Sequence, residues 1–114
     1  KANNMMYDLS LLKTYSKGDA DFELDMIQTF LDEAPAYRSE MAQFLKEKKI
    51  KEAGLLAHKF KSSVDIFGMS DLRLLLDSFE KNCSQNISSE ELMVKISLMV
   101  EELITIMHDK KNTI

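Results

Sequence analysis

Apolar residues in this chain recur at intervals of three and four in one segment after another, with little to interrupt them. Side chains three and four apart share a helix face. From Asp19, the positions Phe22, Met26, Ile27, Phe30, Leu31 and Ala34 keep that spacing. Ala53, Leu56, Ala57, Phe60, Val64 and Phe67 repeat it, followed by Leu72, Leu75, Leu76, Phe79 and Cys83. A last run carries Leu92, Ile96, Met99, Leu103 and Ile106, with Met93, Val100 and Met107 beside them. Three glycines and one proline in 114 residues leave few places for tight hairpins, and no segment shows the alternation of a half-buried strand. The expected fold is all-α: an antiparallel four-helix bundle with a short additional N-terminal helix.

Punctuation residues set the expected boundaries. A short opening helix runs from Asp8 to Ser16, with Leu9, Leu12 and Tyr15 on one side, and Lys17-Gly18-Asp19 reads as a stop followed by a cap. Pro35 lacks the N–H a helix interior needs, so it should break or kink the second run. A further helix would then carry Tyr37, Met41, Phe44 and Leu45 and end in the lysine-rich KEKKIK, a solvated helix end. Gly68 should end the helix that follows, as a C′ residue, and Ser70 should cap the next. SQNISS reads as a loop, and Ser88 and Glu91 have capping-box spacing.

The length suits one domain over residues 1–114, with 1–6 and 110–114 expected as frayed ends. The first residue is Lys1 rather than Met, which suggests a piece of a longer protein. A net charge of −4 argues against a nucleic-acid module. Cys83 is the one cysteine and has no partner for an internal disulfide, which suits a reducing, cytoplasmic setting. No apolar run reaches membrane-spanning length and no signal peptide is visible. There is no glycine-rich phosphate loop, catalytic carboxylate pair or Cys/His metal spacing.

One stretch, AHKFKSSVDIFGM from Ala57 to Met69, calls for a chemical explanation. His58 shares its helix face with Gly54, Leu55, Lys61, Ser62 and Asp65, mostly small or polar, while Phe60 lies on the opposite side. The imidazole should therefore reach solvent, with Gly54 and Ser62 leaving room for a bulky group to approach. A neutral imidazole is a competent nucleophile near neutral pH. Phosphoryl transfer needs in-line access and cationic compensation of the phosphoryl oxygens, and Lys61 stands one turn away. A lone exposed histidine is more often an ordinary surface residue, so the surrounding pattern has to carry the argument.

That pattern is specific. His58, Phe60, Lys61, Ser63, Phe67 and Gly68 resemble the signature of histidine-containing phosphotransfer (HPt) domains. The flanking DMIQTFLDEAP (Asp25 to Pro35) and DLRLLLDSFE (Asp71 to Glu80) look like the family's helices on either side of the phosphoacceptor helix. The resemblance implies that His58 is the phosphoacceptor, that Lys61 compensates phosphoryl charge, and that Gly68 allows the turn after the active helix. It also implies no ATP-dependent kinase activity and no cofactor or metal of its own, with Mg²⁺ on the partner. The implied partners are receiver domains of response regulators or of a hybrid sensor kinase, with this domain a monomer and making no membrane contact itself. Two positions depart from the pattern. Ser62 stands where the family has glycine; it is small enough to keep access open, and its hydroxyl suits a phosphoryl contact. Glu80 stands where several members have glutamine, and a carboxylate there would orient the imidazole while placing negative charge near a phosphoryl group. The competing reading is a helical docking module that binds a receiver or kinase without being phosphorylated.

Other candidates have plainer explanations. His108 near a helix C-terminus suits the helix dipole, and Cys83 fits an apolar stripe. Met26, Phe30 and Met69 fit the core and a docking patch beside His58 equally well.

Overall fold

The computed structural model describes residues 6–114, and among these the chain forms five helices and no strand. They are α1 (Ser10–Ser16), α2 (Ala20–Lys46), α3 (Ile50–Ile66), α4 (Ser70–Ser84) and α5 (Glu90–Thr113). Short connections make α2 to α5 successive antiparallel neighbours. Packing of α2 on α5 closes the four into a bundle, and α1 lies on α2. The expected all-α bundle with a short N-terminal helix is the observed one.

The expected break at Pro35 is absent. One helix of 27 residues passes through it. Proline in a helix interior removes one backbone hydrogen bond, at a cost of about 3 kcal/mol. Here Ile27, Phe30, Leu31 and Ala34 before the proline and Met41 and Leu45 after it are all buried on one continuous stripe. A well-buried aliphatic or aromatic side chain contributes about 1.5–3 kcal/mol, so packing on both sides outweighs the lost bond. KEKKIK is correspondingly not a helix end alone. It contains the α2–α3 turn, with Lys48 at φ 64°.

Starting points also differ from the expected caps. Asp19 caps α2 as expected, accepting from the Phe22 N–H at 3.2 Å. Ser70 is the first helical residue of α4, not its cap, and Met69 holds the cap position. The Ser88–Glu91 capping box does not form: α5 begins at Glu90 after Ser89, whose hydroxyl accepts from Asn82 Nδ2 at 2.8 Å. Tyr15, expected inward, is exposed, as is Phe22. On α5 the buried stripe is Met93, Ile96, Val100, Leu103 and Met107, with Leu92, Met99 and Ile106 at its edge. Residues 110–114, expected to fray, continue α5 to Thr113. Lys110 lies over the Tyr7 ring at 5.2 Å, and Lys111 donates to Gln28 Oε1 at 2.5 Å. Of the expected N-terminal frayed segment, residues 1–5 lie outside the described residues.

An aromatic cluster fixes how α3 is turned. Phe60 is fully buried and stacks on Tyr37 at 4.8 Å between ring centroids. Phe30 meets Phe60 at 6.3 Å and Phe67 edge-on at 5.5 Å. With Phe60 anchored inward, the opposite side of α3 must face out. Burial, then the nearby charges of Glu33 and Glu40, push the Tyr37 hydroxyl pKa up.

Candidate functional site

The site is built on the seam between α3 and α4, and two glycines set that seam. Gly68 ends α3 at φ +58°, a left-handed conformation that glycine adopts without strain. Its N–H bonds to the Asp65 carbonyl at 3.0 Å, while the Met69 N–H reaches Val64 at 3.2 Å, a Schellman turn. A Cβ on Gly68 would also collide with the Asp8 carbonyl oxygen, because the N-terminal segment crosses the turn there. Gly54 sits at the other end of the seam and is buried. A Cβ on it would stand 2.7 Å from Cys83 Cβ. Gly54 is expected from the sequence to leave room for an approaching group, but the room its missing Cβ leaves is taken by Cys83 of α4. It lets α4 come close to α3.

That closeness brings α4 side chains to the imidazole. His58 projects outward, its side chain 66% exposed, and its Nδ1 lies 2.9 Å from Glu80 Oε2. The other Glu80 oxygen, Oε1, is enclosed and faces the Lys61 ammonium at 2.5 Å. That contact is ionic and not an aligned hydrogen bond. Lys61 also reaches Asp77 Oδ1 at 3.2 Å. Burial works to raise the Glu80 pKa, but Lys61 and then His58 outweigh it and hold the carboxyl below its ordinary value. Glu80 is thus ionised at neutral pH and acts only as an acceptor. The proton in the His58–Glu80 hydrogen bond must then sit on Nδ1, which leaves the Nε2 lone pair free in the neutral ring. Nε2 has no partner among the described residues.

Lys61 is less free than its sequence position suggests. Its side chain is only 16% exposed, and the close carboxylate of Glu80 pushes its pKa up, with Asp77 adding to the effect. Ser62 is exposed beside the imidazole, its hydroxyl donating to the Lys59 carbonyl at 3.1 Å. The structure therefore brings His58, Lys61, Ser62 and Glu80 together, with Gly68 at the turn beyond them.

Cys83 is buried against Gly54, and burial, with the charge of Glu80, pushes its thiol up to about 11. His108 is exposed near the end of α5. The docking patch of Met26, Phe30 and Met69 is not there to be used: Phe30 and Met69 are core residues, each 1% exposed. Leu55, one turn from His58 on its own face, is exposed instead. It edges an open groove of about 380 Å³ lined by Lys51, Gly54, Leu55, Glu80, Cys83 and Ser84. Among the described residues, no three His, Cys, Asp or Glu side chains gather to hold a metal ion, and no helix is long and apolar enough to cross a membrane.

Sequence reasoning missed two groups. Asp77 and Arg73 extend the ion pairs of α4 beyond Lys61, Arg73 Nε reaching Asp77 Oδ1 at 3.1 Å and its Nη1 pairing with Asp65. The signal was present: 58, 61 and 65 on α3, with 73, 77 and 80 on α4, keep helical spacing across a short antiparallel turn. The second group is Glu23 with Lys13 and Ser16, where α1 meets α2.

A family model for the Hpt domain matches residues 25–106. The chain belongs to the Hpt domain family. This Hpt domain is also 25% identical, over 109 residues, to a protein of Dictyostelium discoideum called phosphorelay intermediate protein rdeA. The alignment covers 93% of this chain and 43% of that relative, so the chain spans less than half the relative's length. No solved structure matches the chain. The Hpt match includes the whole of α3 and α4, hence every residue of the site just described.

Proposed function

We propose that this Hpt domain is a phosphorelay intermediate, accepting a phosphoryl group on His58 from a receiver-domain aspartate and passing it to another. The family match, and the relative named as a phosphorelay intermediate, support phosphotransfer. The observation that carries the assignment to His58 is the pairing of its Nδ1 with an ionised Glu80, which leaves Nε2 open on an exposed ring.

The step follows from that arrangement. The Nε2 lone pair forms the N–P bond as the O–P bond of the aspartyl phosphate breaks, its electrons returning to the receiver's carboxylate. The Nδ1 proton stays in the hydrogen bond to Glu80, whose charge offsets the positive charge gained by the ring. Transfer onward reverses these events, and neutral imidazole leaves. Lys61, one turn along α3, compensates the phosphoryl oxygens, and the Ser62 hydroxyl can donate to one of them by turning away from the Lys59 carbonyl. Gly68 keeps the turn that holds α3 and α4 in register. Mg²⁺ on the partner receiver domain supplies charge neutralisation at the aspartyl phosphate. The domain itself has no ATP-dependent kinase activity and acts as a monomer; a cytoplasmic setting agrees with its lone buried thiol.

Incubation with a receiver domain phosphorylated on aspartate, with Mg²⁺, tests the assignment by intact mass. An acid-labile phosphate adduct is expected on the wild type and none on His58→Gln. The variant should keep its unfolding free energy within about 0.5 kcal/mol, since the ring is largely exposed. An equal adduct on His58→Gln contradicts the assignment. A folded wild type that binds receivers yet never gains phosphate leaves the docking-module reading in its place.

A further inference from the structure

The charges around His58 continue past Lys61. Along the α3–α4 seam run Glu80, Lys61, Asp77, Arg73 and Asp65, alternating in sign, each paired with the next. One oxygen, Asp77 Oδ1, serves two cations: Lys61 Nζ at 3.2 Å and Arg73 Nε at 3.1 Å. An acceptor shared between two cations holds each more weakly than it would hold one alone. The other end of the Arg73 guanidinium is fixed by Asp65.

Lys61 therefore has competing demands. A phosphoryl group brings up to about two negative charges, and it would arrive beside a site where Glu80 and Asp77 already claim the ammonium. The tighter those carboxylates hold Lys61, the less it can do for the phosphoryl oxygens. We propose that Arg73 and Asp77 are positioning residues for Lys61: Asp77 restrains the ammonium, and Arg73, by sharing the same oxygen, keeps that restraint weak enough for Lys61 to turn to a phosphoryl group on His58. This rests on the reading of His58 as phosphoacceptor and extends it to two residues that never touch the phosphoryl group. Arg73 acts through Asp77, and Asp65 acts by fixing Arg73.

Opposite signs for neighbouring substitutions make the test sharp. Two readouts are taken on Arg73→Gln, Asp77→Asn and the double variant. One is the titration of the Lys61 ammonium by NMR in the free domain. The other is the equilibrium division of phosphate between the domain and a receiver. In Arg73→Gln, Lys61 should titrate at higher pH and phosphate on the domain should fall by about three- to tenfold, the scale of exposed charge pairs acting together. In Asp77→Asn both readouts should move the other way. The double variant should match Asp77→Asn within about twofold, because Arg73 acts on Lys61 only through Asp77. Lys59→Gln supplies the control, since it removes the same charge from an exposed side chain outside the series. It should move both readouts by less than half as much as Arg73→Gln. Single variants that shift Lys61 in one common direction, or a Lys59→Gln that equals Arg73→Gln, overturn the proposal. A wild type that takes phosphate normally while the variants all match it also overturns it, and leaves the functional reading standing. A wild type that takes no phosphate removes the functional reading and this role with it.

Discussion

Two glutamates in this molecule each hold a lysine and one further side chain, and end in different chemistry. Glu23, on α2, receives the Lys13 ammonium at 2.7 Å on one oxygen and the Ser16 hydroxyl at 2.5 Å on the other. Glu80, on α4, receives Lys61 at 2.5 Å on one oxygen and His58 Nδ1 at 2.9 Å on the other. Glu23 is buried, and Ser16 turns its remaining capacity inward, accepting from the Gly18 N–H at 3.3 Å. That cluster closes on itself and fastens α1 to α2. Around Glu80 the second partner is a ring with two nitrogens, and only one is engaged. The same carboxylate–lysine unit therefore makes a latch in one place and an oriented nucleophile in the other. The difference lies in what the second partner has left to offer.

Substitutions should separate the two regions. Gly54→Ala has the largest expected effect. Its Cβ would press on Cys83 Cβ, which is fixed to the α4 backbone and cannot swing aside, so about 1–3 kcal/mol of stability should be lost in denaturant unfolding. The shift should part α3 from α4 and weaken phosphoryl uptake, while the contacts of Glu23, near the end of α2 away from the α2–α3 turn, persist. Next come the two glutamates themselves. Glu80→Ala removes a hydrogen bond to a charged acceptor, worth about 1.5 kcal/mol, so transfer measured by rapid-quench kinetics should slow by roughly tenfold. Glu23→Ala should lower the unfolding temperature and leave the transfer rate unchanged. Equal effects of the two changes on transfer would erase the distinction drawn here.

The smallest effect concerns acid. Lys13 and Ser16 hold the Glu23 pKa below its ordinary 4.5, burial opposing them. At Glu80 and Asp77 burial is the largest influence and acts upward, but their cationic partners win and the pKa values fall below 4.5 and 3.8. A carboxyl with a depressed folded-state pKa stabilises the fold fully above its unfolded value. That stability is lost as pH falls through the folded value. Melting temperature should therefore decline below about pH 4.5, and the decline should be shallower in Glu23→Gln and in Glu80→Gln. The pH at which transfer fails should move in Glu80→Gln alone.

Much of this was legible in the sequence, because helical periodicity reports burial directly. The inward set of α3, the exposed His58 opposite Phe60 and the turn at Gly68 all follow from spacing and from one glycine. Pro35 was misleading because its local penalty is visible in sequence, whereas the burial on either side that outweighs it is a tertiary property. Gly54 read as empty space because a helical position shows which residues share a face, not how near the neighbouring helix lies. Glu23 lies between Phe22 and Leu24 in a sequence where Phe22 is exposed, and only the crossing of α1 over α2 explains its burial. Met69 and Phe30 could not be divided between core and surface by periodicity, since both fit an apolar stripe. The ion pairs from Asp65 to Glu80 could have been drawn from spacing alone, once an antiparallel α3–α4 hairpin was assumed.

The central claim is that Glu80 fixes the Nδ1 proton and leaves Nε2 to react. Long-range proton–nitrogen NMR on the isotopically labelled domain, before and after phosphorylation by a receiver, tests it most directly. The account predicts that the uncharged form of the His58 ring carries its proton on Nδ1, and then phosphorus coupled to Nε2 of the same ring. Phosphorus on Nδ1, on His108 or on a carboxylate would contradict it.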